Sequence, residues 1–180
     1  MVTARDLRKD EHGKVVVGFD TARVCSSAAK RFKTCDVRGT KAVVVTAGKS
    51  EDFGVVMGAD IMRRHVNRYC YIDHNQIYSP VAEDFDTNGE MTALARFMRD
   101  HLQQSPEDTF EVYVAASWWH APRAGRLLKV RLDPNLRERT TIRRIFAPSF
   151  SIFSWRLWYN VAGEYIGAWP KSIRNRNVFA

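Results

Sequence analysis

The hydrophobic and polar positions of the first 70 residues alternate between two periods. A β-branched run, KVVVGF, occupies residues 14–19, and the apolar positions of residues 21–32 then recur at helical spacing. A second run, KAVVVTA at residues 41–47, is followed by helical spacing between residues 55 and 66. The pattern predicts two strand-helix units, whose strands are neighbours that can pair in parallel.

The period changes in the second half of the chain. A polar stretch at residues 73–89 predicts a long exposed loop, and EMTALARFMRDHLQQ at residues 90–104 predicts an amphipathic helix. Apolar residues then alternate with period two through FEVYVAASWW, RLLKVRL and TTIRRIF. We therefore predict one α+β domain over residues 1–180. In it, strand-helix units (residues 1–72) and the central helix pack on an antiparallel meander of about five strands at residues 109–170.

The stretch FSIFSWRLWYN at residues 150–160 would send apolar side chains to both faces of a regular strand. A bulge near Ile152 and Phe153 resets the alternation and places most of the apolar groups on one face. Arg156 and Trp158 then lie on the outer face. This pair is predicted to belong to a binding surface.

Charge is distributed unevenly along the chain. The net charge is +8, and ten of the twelve basic residues after position 120 are arginines. Arginine grips phosphates and carboxylates through a planar fork and stacks on rings. The leading interpretation is a non-enzymatic module that binds nucleic acid or another polyanion through the C-terminal sheet. The predicted contacts are Trp118, Trp119, Arg123, Arg126, Lys129, Arg131, Arg143, Arg144, Arg156 and Trp158.

Cys25 and His120 define a second interpretation. Cys25 stands near the start of a predicted helix, where the macrodipole favours a thiolate, and His120 follows a predicted strand. Cysteine hydrolases use such a pair as nucleophile and base. The competing interpretation is that Cys25 is a small buried core residue of its helix.

Two further segments resemble ligand sites but lack part of the pattern that such sites need. The segment Gly48-Lys49-Ser50 has the end of a P-loop, but Val43 stands where that motif needs glycine. The group His65, Cys70, Asp73 and His74 has metal-ligating side chains at irregular spacing, without the paired spacing of structural zinc sites. We therefore expect no metal and no cofactor.

A third interpretation is an assembly or host-interaction protein that uses the aromatic sheet as an interface, because exposed tryptophan and arginine concentrate in interfaces. Three cysteines without a C-x-x-C pair favour reduced thiols. No apolar run approaches the roughly 20 residues of a membrane-spanning helix, and the N-terminus lacks the apolar stretch of a secretory signal. The expected location is the cytoplasm or the nucleus.

Overall fold

The computed structural model describes residues 2–3, 7–36, 41–46, 58–82, 86–102 and 109–147, together with the single positions 158 and 162. Its α-helices are α1 (Phe19–Thr34), α2 (Gly58–Cys70), α3 (Thr87–Leu102), α4 (Ala121–Arg131) and α5 (Pro134–Arg139), and a short 3-10 helix spans His74–Gln76. Its strands are β1 (Val2–Thr3), β2 (Leu7–Lys9), β3 (Val15–Val17), β4 (Val43–Thr46), β5 (Ile77–Tyr78), β6 (Phe110–Ser117) and β7 (Thr140–Ala147).

Five of these strands form one sheet in the order β5-β4-β1-β6-β7, and every pair in it is parallel. The longest pair is β6 with β7, which runs from Phe110 opposite Thr140 to Ser117 opposite Ala147. The other two strands, β2 and β3, form an antiparallel hairpin between β1 and α1. The order of the five strands reverses at β1, as in doubly wound sheets.

Helices cover both faces of this sheet. On one face α1 and α2 bury Val43, Val45 and Ala115. On the other face α3 and α4 bury Val44 and Val114. Because neighbouring residues of a strand point to opposite faces, the uninterrupted run Val43–Val45 supplies both cores.

The prediction of a five-stranded antiparallel meander at residues 109–170 is wrong. The segment RLLKVRL, which the period of two assigned to a strand, lies mostly in α4. Leu128 and Leu132 are buried and fit either period, but Ala124 is also buried while Val130 is 51% exposed. That combination follows helical spacing. Residues 148–157 and 163–170, where the remaining meander was predicted, lie outside the described residues.

Several individual elements are confirmed, although their arrangement differs from the prediction. The strands in KVVVGF and KAVVVTA, the helices that follow them and the central helix are all present. The first of those strands, β3, pairs with β2 and does not join the parallel sheet. The predicted loop at residues 73–89 is partly wrong, since β5 lies within it and α3 already begins at Thr87.

Candidate functional site at the carboxyl edge of the sheet

The parallel sheet has two unlike edges, which we name after the strand ends that meet there. At the carboxyl edge the strands end and the helices that follow them begin, and at the amino edge the helices end and the strands begin. In doubly wound sheets, ligands bind outside the carboxyl ends of the strands, where the strand order reverses. Here that position lies between β1 and β6, which are neighbours.

The buried polar residues collect at the carboxyl edge. Within the part of the chain that the structure describes, six polar or charged residues are buried: Asp20, Thr21, Thr46, Glu90, Ser117 and His120. Thr46 and Ser117 end strands, and His120 is the N-cap residue of α4. The other three, Asp20, Thr21 and Glu90, lie in the first turn of a helix. Burying a polar group costs free energy unless it is hydrogen-bonded. Their restriction to one edge therefore marks that edge as a site, distinct from the apolar cores.

His120 joins three elements of this edge. It is the N-cap residue of α4, and its backbone amide donates to the carbonyl of Ser117, 2.9 Å away, at the end of β6. Its ring atom Nε2 lies 3.4 Å from Oγ1 of Thr87, the first residue of α3. The imidazole is 3% exposed, so these contacts hold it in a fixed position.

The N-terminus of α4 is electrostatically unlike those of the three long helices before it. An acidic residue stands in the first turn of α1 (Asp20), α2 (Asp60) and α3 (Glu90), but α4 has none. Arg123 lies there instead, and His120 makes no side-chain capping bond. The N-terminus of a helix carries partial positive charge, although in α4 Pro122 has no amide hydrogen and Ala121 is buried. The guanidinium of Arg123 adds a full positive charge to the same turn.

Two tryptophans lie between β6 and α4. Trp118 is 42% exposed, whereas Trp119 is 3% exposed. Their rings meet edge to face, with centroids 5.6 Å apart. The Nε1 atom of Trp119 is buried and has no hydrogen-bond acceptor among the described residues. Trp119 thus supports Trp118, whose exposed ring lies next to the start of α4.

The start of α3 is held by the side chain of the residue that precedes it and by a side chain from α4. The Asp86 carboxylate accepts from the backbone amide of Gly89, with Oδ1 2.7 Å away. Arg131, at the end of α4, donates from Nε and Nη2 to Oδ1 of Asn88, at 3.0 and 2.7 Å. The position of Thr87 against His120 is therefore fixed from two sides.

The predicted polyanion contacts are distributed over different elements. Arg123, Arg126, Lys129 and Arg131 lie on α4, and Arg143 and Arg144 lie on β7, so they do not share an antiparallel sheet. Arg131 bonds Asn88, and Arg143 pairs with Glu111. Arg126, Lys129 and Arg144 are exposed. Arg156 lies outside the described residues, and Trp158 is exposed. A nucleic-acid or other polyanion partner stays a prediction.

The surroundings of Cys25 argue against a thiolate nucleophile. The residue is fully buried in the core between α1, α2 and the sheet. Burial, with a smaller contribution from neighbouring Cys70, raises the pKa of the Cys25 thiol to about 12. A thiol with such a pKa is protonated at neutral pH and is a weak nucleophile. His120, the predicted base of the pair, lies at the carboxyl edge, where its ring contacts Thr87.

Two of the four metal-ligating side chains in residues 65–74 make other contacts. Asp73 caps the 3-10 helix by accepting from the amide of Asn75. His65 packs its ring on Tyr69, and burial lowers the pKa of its imidazole. Across the described ranges, no group of three or more His, Cys, Asp or Glu side chains is placed to hold a metal ion. The segment Gly48-Lys49-Ser50 lies outside those ranges.

Sequence reasoning singled out His120 as a catalytic base and Trp118 and Arg123 as polyanion contacts, but it missed Asp20, Glu90 and the other buried polar residues of the edge. The available signal was the repeated order of strand and helix, which predicts a parallel sheet and collects strand ends at one edge. Comparison with known families, curated proteins and solved structures found no match. The site is therefore interpreted from its geometry. No helix in the described ranges is long and apolar enough to cross a membrane.

Proposed function

We propose that the protein binds a small anionic ligand of the nucleoside phosphate class at the carboxyl edge of its sheet. The observation that carries this proposal is the restriction of all six buried polar residues of the described chain to that edge. Doubly wound sheets use this edge for ligands, and the reversal of strand order at β1 locates the crevice.

The anionic character of the ligand is inferred from α4. Its first turn has Arg123 and no acidic residue. A phosphate bound beside this turn would interact favourably with the guanidinium and with the partial positive charge of the helix N-terminus.

The aromatic part of the ligand is inferred from Trp118. Its exposed ring lies between the end of β6 and the start of α4, next to the proposed phosphate position. Planar bases stack on such rings.

Calorimetric titration with AMP, ATP and inorganic phosphate tests the proposal. We expect the nucleotides to bind more tightly than phosphate and to quench tryptophan emission, because Trp118 would stack on the base. Arg123→Ala should weaken binding about tenfold or more, which corresponds to one lost charge-assisted contact. The matched control is Arg126→Ala, an exposed arginine three residues further along α4. Equal losses in both variants, or no binding of any of the three probes, would refute the proposal.

A further inference from the structure

The amino edge of the sheet concentrates cations stacked on aromatic rings. Of the six cation-ring pairs among the described residues, five lie where the helices end and the strands begin. The exception, Arg23 on Phe19, lies at the start of α1. The basic residues alone are explained by the helix macrodipoles, since cations stabilise C-terminal helix ends. The macrodipoles do not explain why exposed rings such as those of Tyr69 and Tyr71 lie beside these cations.

Tyr71 is the clearest sign that a ring is needed at this edge. It directly follows α2, and its φ of 54° lies in the left-handed region. Tyr71 is the one non-glycine residue of the described chain that has a positive φ. The position after a helix C-terminus commonly adopts this conformation and strongly favours glycine or asparagine. The side chain of Tyr71 is 82% exposed, so burial does not offset the strain. Residues strained in this way cluster at functional sites.

Three of these cation-ring pairs lie at the ends of α1 and α2, and we call their residues the row. Arg68 lies over the ring of Tyr69, which is 63% exposed, and Lys33 lies over Tyr71, with its Nζ 5.7 Å from the ring centroid. Arg31 precedes Lys33 by two residues and so lies on a different side of α1, with its Cζ 4.3 Å from the centroid of the Tyr113 ring.

Arg31 also lines an open groove of about 610 Å³ along β6 and β7. Six residues line it: Arg31, Glu111, Tyr113, Arg143, Arg144 and Ile145. Arg143 is paired with Glu111 and neutralises it. The lining therefore keeps an excess of positive charge, which suits a negatively charged partner.

We propose that this row binds single-stranded nucleic acid, with bases stacking on Tyr69 and Tyr71 and phosphates lying along Arg31, Lys33 and Arg68. Single-strand sites combine a positive groove that follows the backbone with aromatic rings on which successive bases stack. Both features are present here, on elements that end at the same edge. The row lies at the opposite edge from the proposed small-ligand site, so either proposal can hold without the other.

Fluorescence anisotropy of a labelled 12-nucleotide oligo(dT) with the full chain tests the inference. We expect binding that weakens with salt, with a slope of log K against log salt of about −2 if the three cations neutralise three phosphates. Tyr71→Ala should weaken binding about tenfold, the expected loss of one stacked base. Tyr71→Phe keeps the ring and should bind like the unmodified protein.

Four outcomes would overturn the proposal. The first is absence of oligo(dT) binding at 50 mM salt, and the second is equal affinity for a 12-base-pair duplex. The third is loss of binding in the double variant Arg126→Ala/Lys129→Ala together with normal binding in Tyr71→Ala. That result would locate the polyanion on α4. The fourth is sedimentation with phosphatidylserine vesicles without oligonucleotide binding, which would identify a membrane surface. Retained binding by the α4 double variant and loss in Tyr71→Ala support the row.

Discussion

The two edges of the sheet hold opposite kinds of polar group. At the carboxyl edge, polar side chains such as Thr46 and His120 are buried and bonded within the protein. At the amino edge, Lys33 and Tyr71 are exposed, and Nζ of Lys33 lies 5.7 Å from the centroid of the Tyr71 ring. Parallel topology produces the division, because helix N-termini meet at one edge and helix C-termini at the other. Substitutions of buried polar side chains at the first edge should therefore lower stability strongly, whereas substitutions of exposed side chains at the second should change stability much less.

Cys25 lies on α1 between the two edges and should produce the largest effect. Its pKa is raised from 9.0 to about 12, chiefly by burial. Below pH 9 the thiol is protonated in both the folded and the unfolded protein, so the stability that it contributes through its raised pKa is fully present. Between pH 9 and 12 the unfolded thiol ionises while the folded thiol does not, so stability falls, by up to about 4 kcal/mol.

Urea unfolding at a series of pH values measures this loss of stability. Cys25→Ala should reduce it strongly without abolishing it, because burial also raises the pKa of Cys70. Cys35→Ala, at a half-buried position, is the control and should retain it. An identical alkaline decline in the Cys25 variant would mean that core packing around α1 is looser than the structure shows.

The direct comparison of the edges uses one residue from each. His120→Ala removes a buried ring and its contact with Thr87, and should lower the free energy of unfolding by about 3 kcal/mol. Lys33→Ala removes an exposed side chain and should change it by less than about 0.5 kcal/mol. Urea unfolding of both variants at pH 7 measures the contrast. Similar changes in the two variants would remove the proposed division between the edges.

Replacing Tyr71 with glycine should raise the free energy of unfolding, whereas replacing His120 should lower it. Tyr71→Gly relieves a positive φ at an exposed position, so the free energy of unfolding should rise by about 1 kcal/mol. Differential scanning calorimetry should show the higher Tm, and Tyr71→Ala, which keeps the strained backbone, is the control. A glycine variant less stable than the unmodified protein would show that the ring stabilises the fold, and would weaken its assignment to binding.

The distinction between buried and exposed edges was only partly predictable from the sequence. Local periodicity located α1, β4, α3 and β6, because each has one apolar period over its length. It failed at α4, where Leu128 and Leu132 satisfy helix and strand periods alike and Val130 is exposed. Treating that segment as a strand turned a parallel sheet into a meander and hid the meeting of strand ends at one edge.

The sites were harder to predict than the elements. Asp20 and Glu90 look like ordinary acidic residues at helix starts, and only the strand order brings them to the same edge. The strain at Tyr71 depends on where α2 ends, and boundaries of helices are the least certain part of a sequence pattern. Arginine content favoured a polyanion partner but did not show which surface has rings beside the charges.

The smallest expected effect concerns the ion pair of Glu111 and Arg143 at the amino edge. The pKa of Glu111 is lowered, chiefly by a hydrogen bond from Tyr113 and further by Arg143, so its contribution is present near neutral pH and is lost as pH falls. The Arg143 side chain is 60% exposed, and exposed pairs couple by about 0.2–1 kcal/mol and weaken with salt. A double-mutant cycle of Glu111→Gln and Arg143→Gln by urea unfolding should fall in that range. Coupling above about 1.5 kcal/mol would show that the groove is held closed by internal pairing, and would shorten the proposed binding row to the side chains at the ends of α1 and α2.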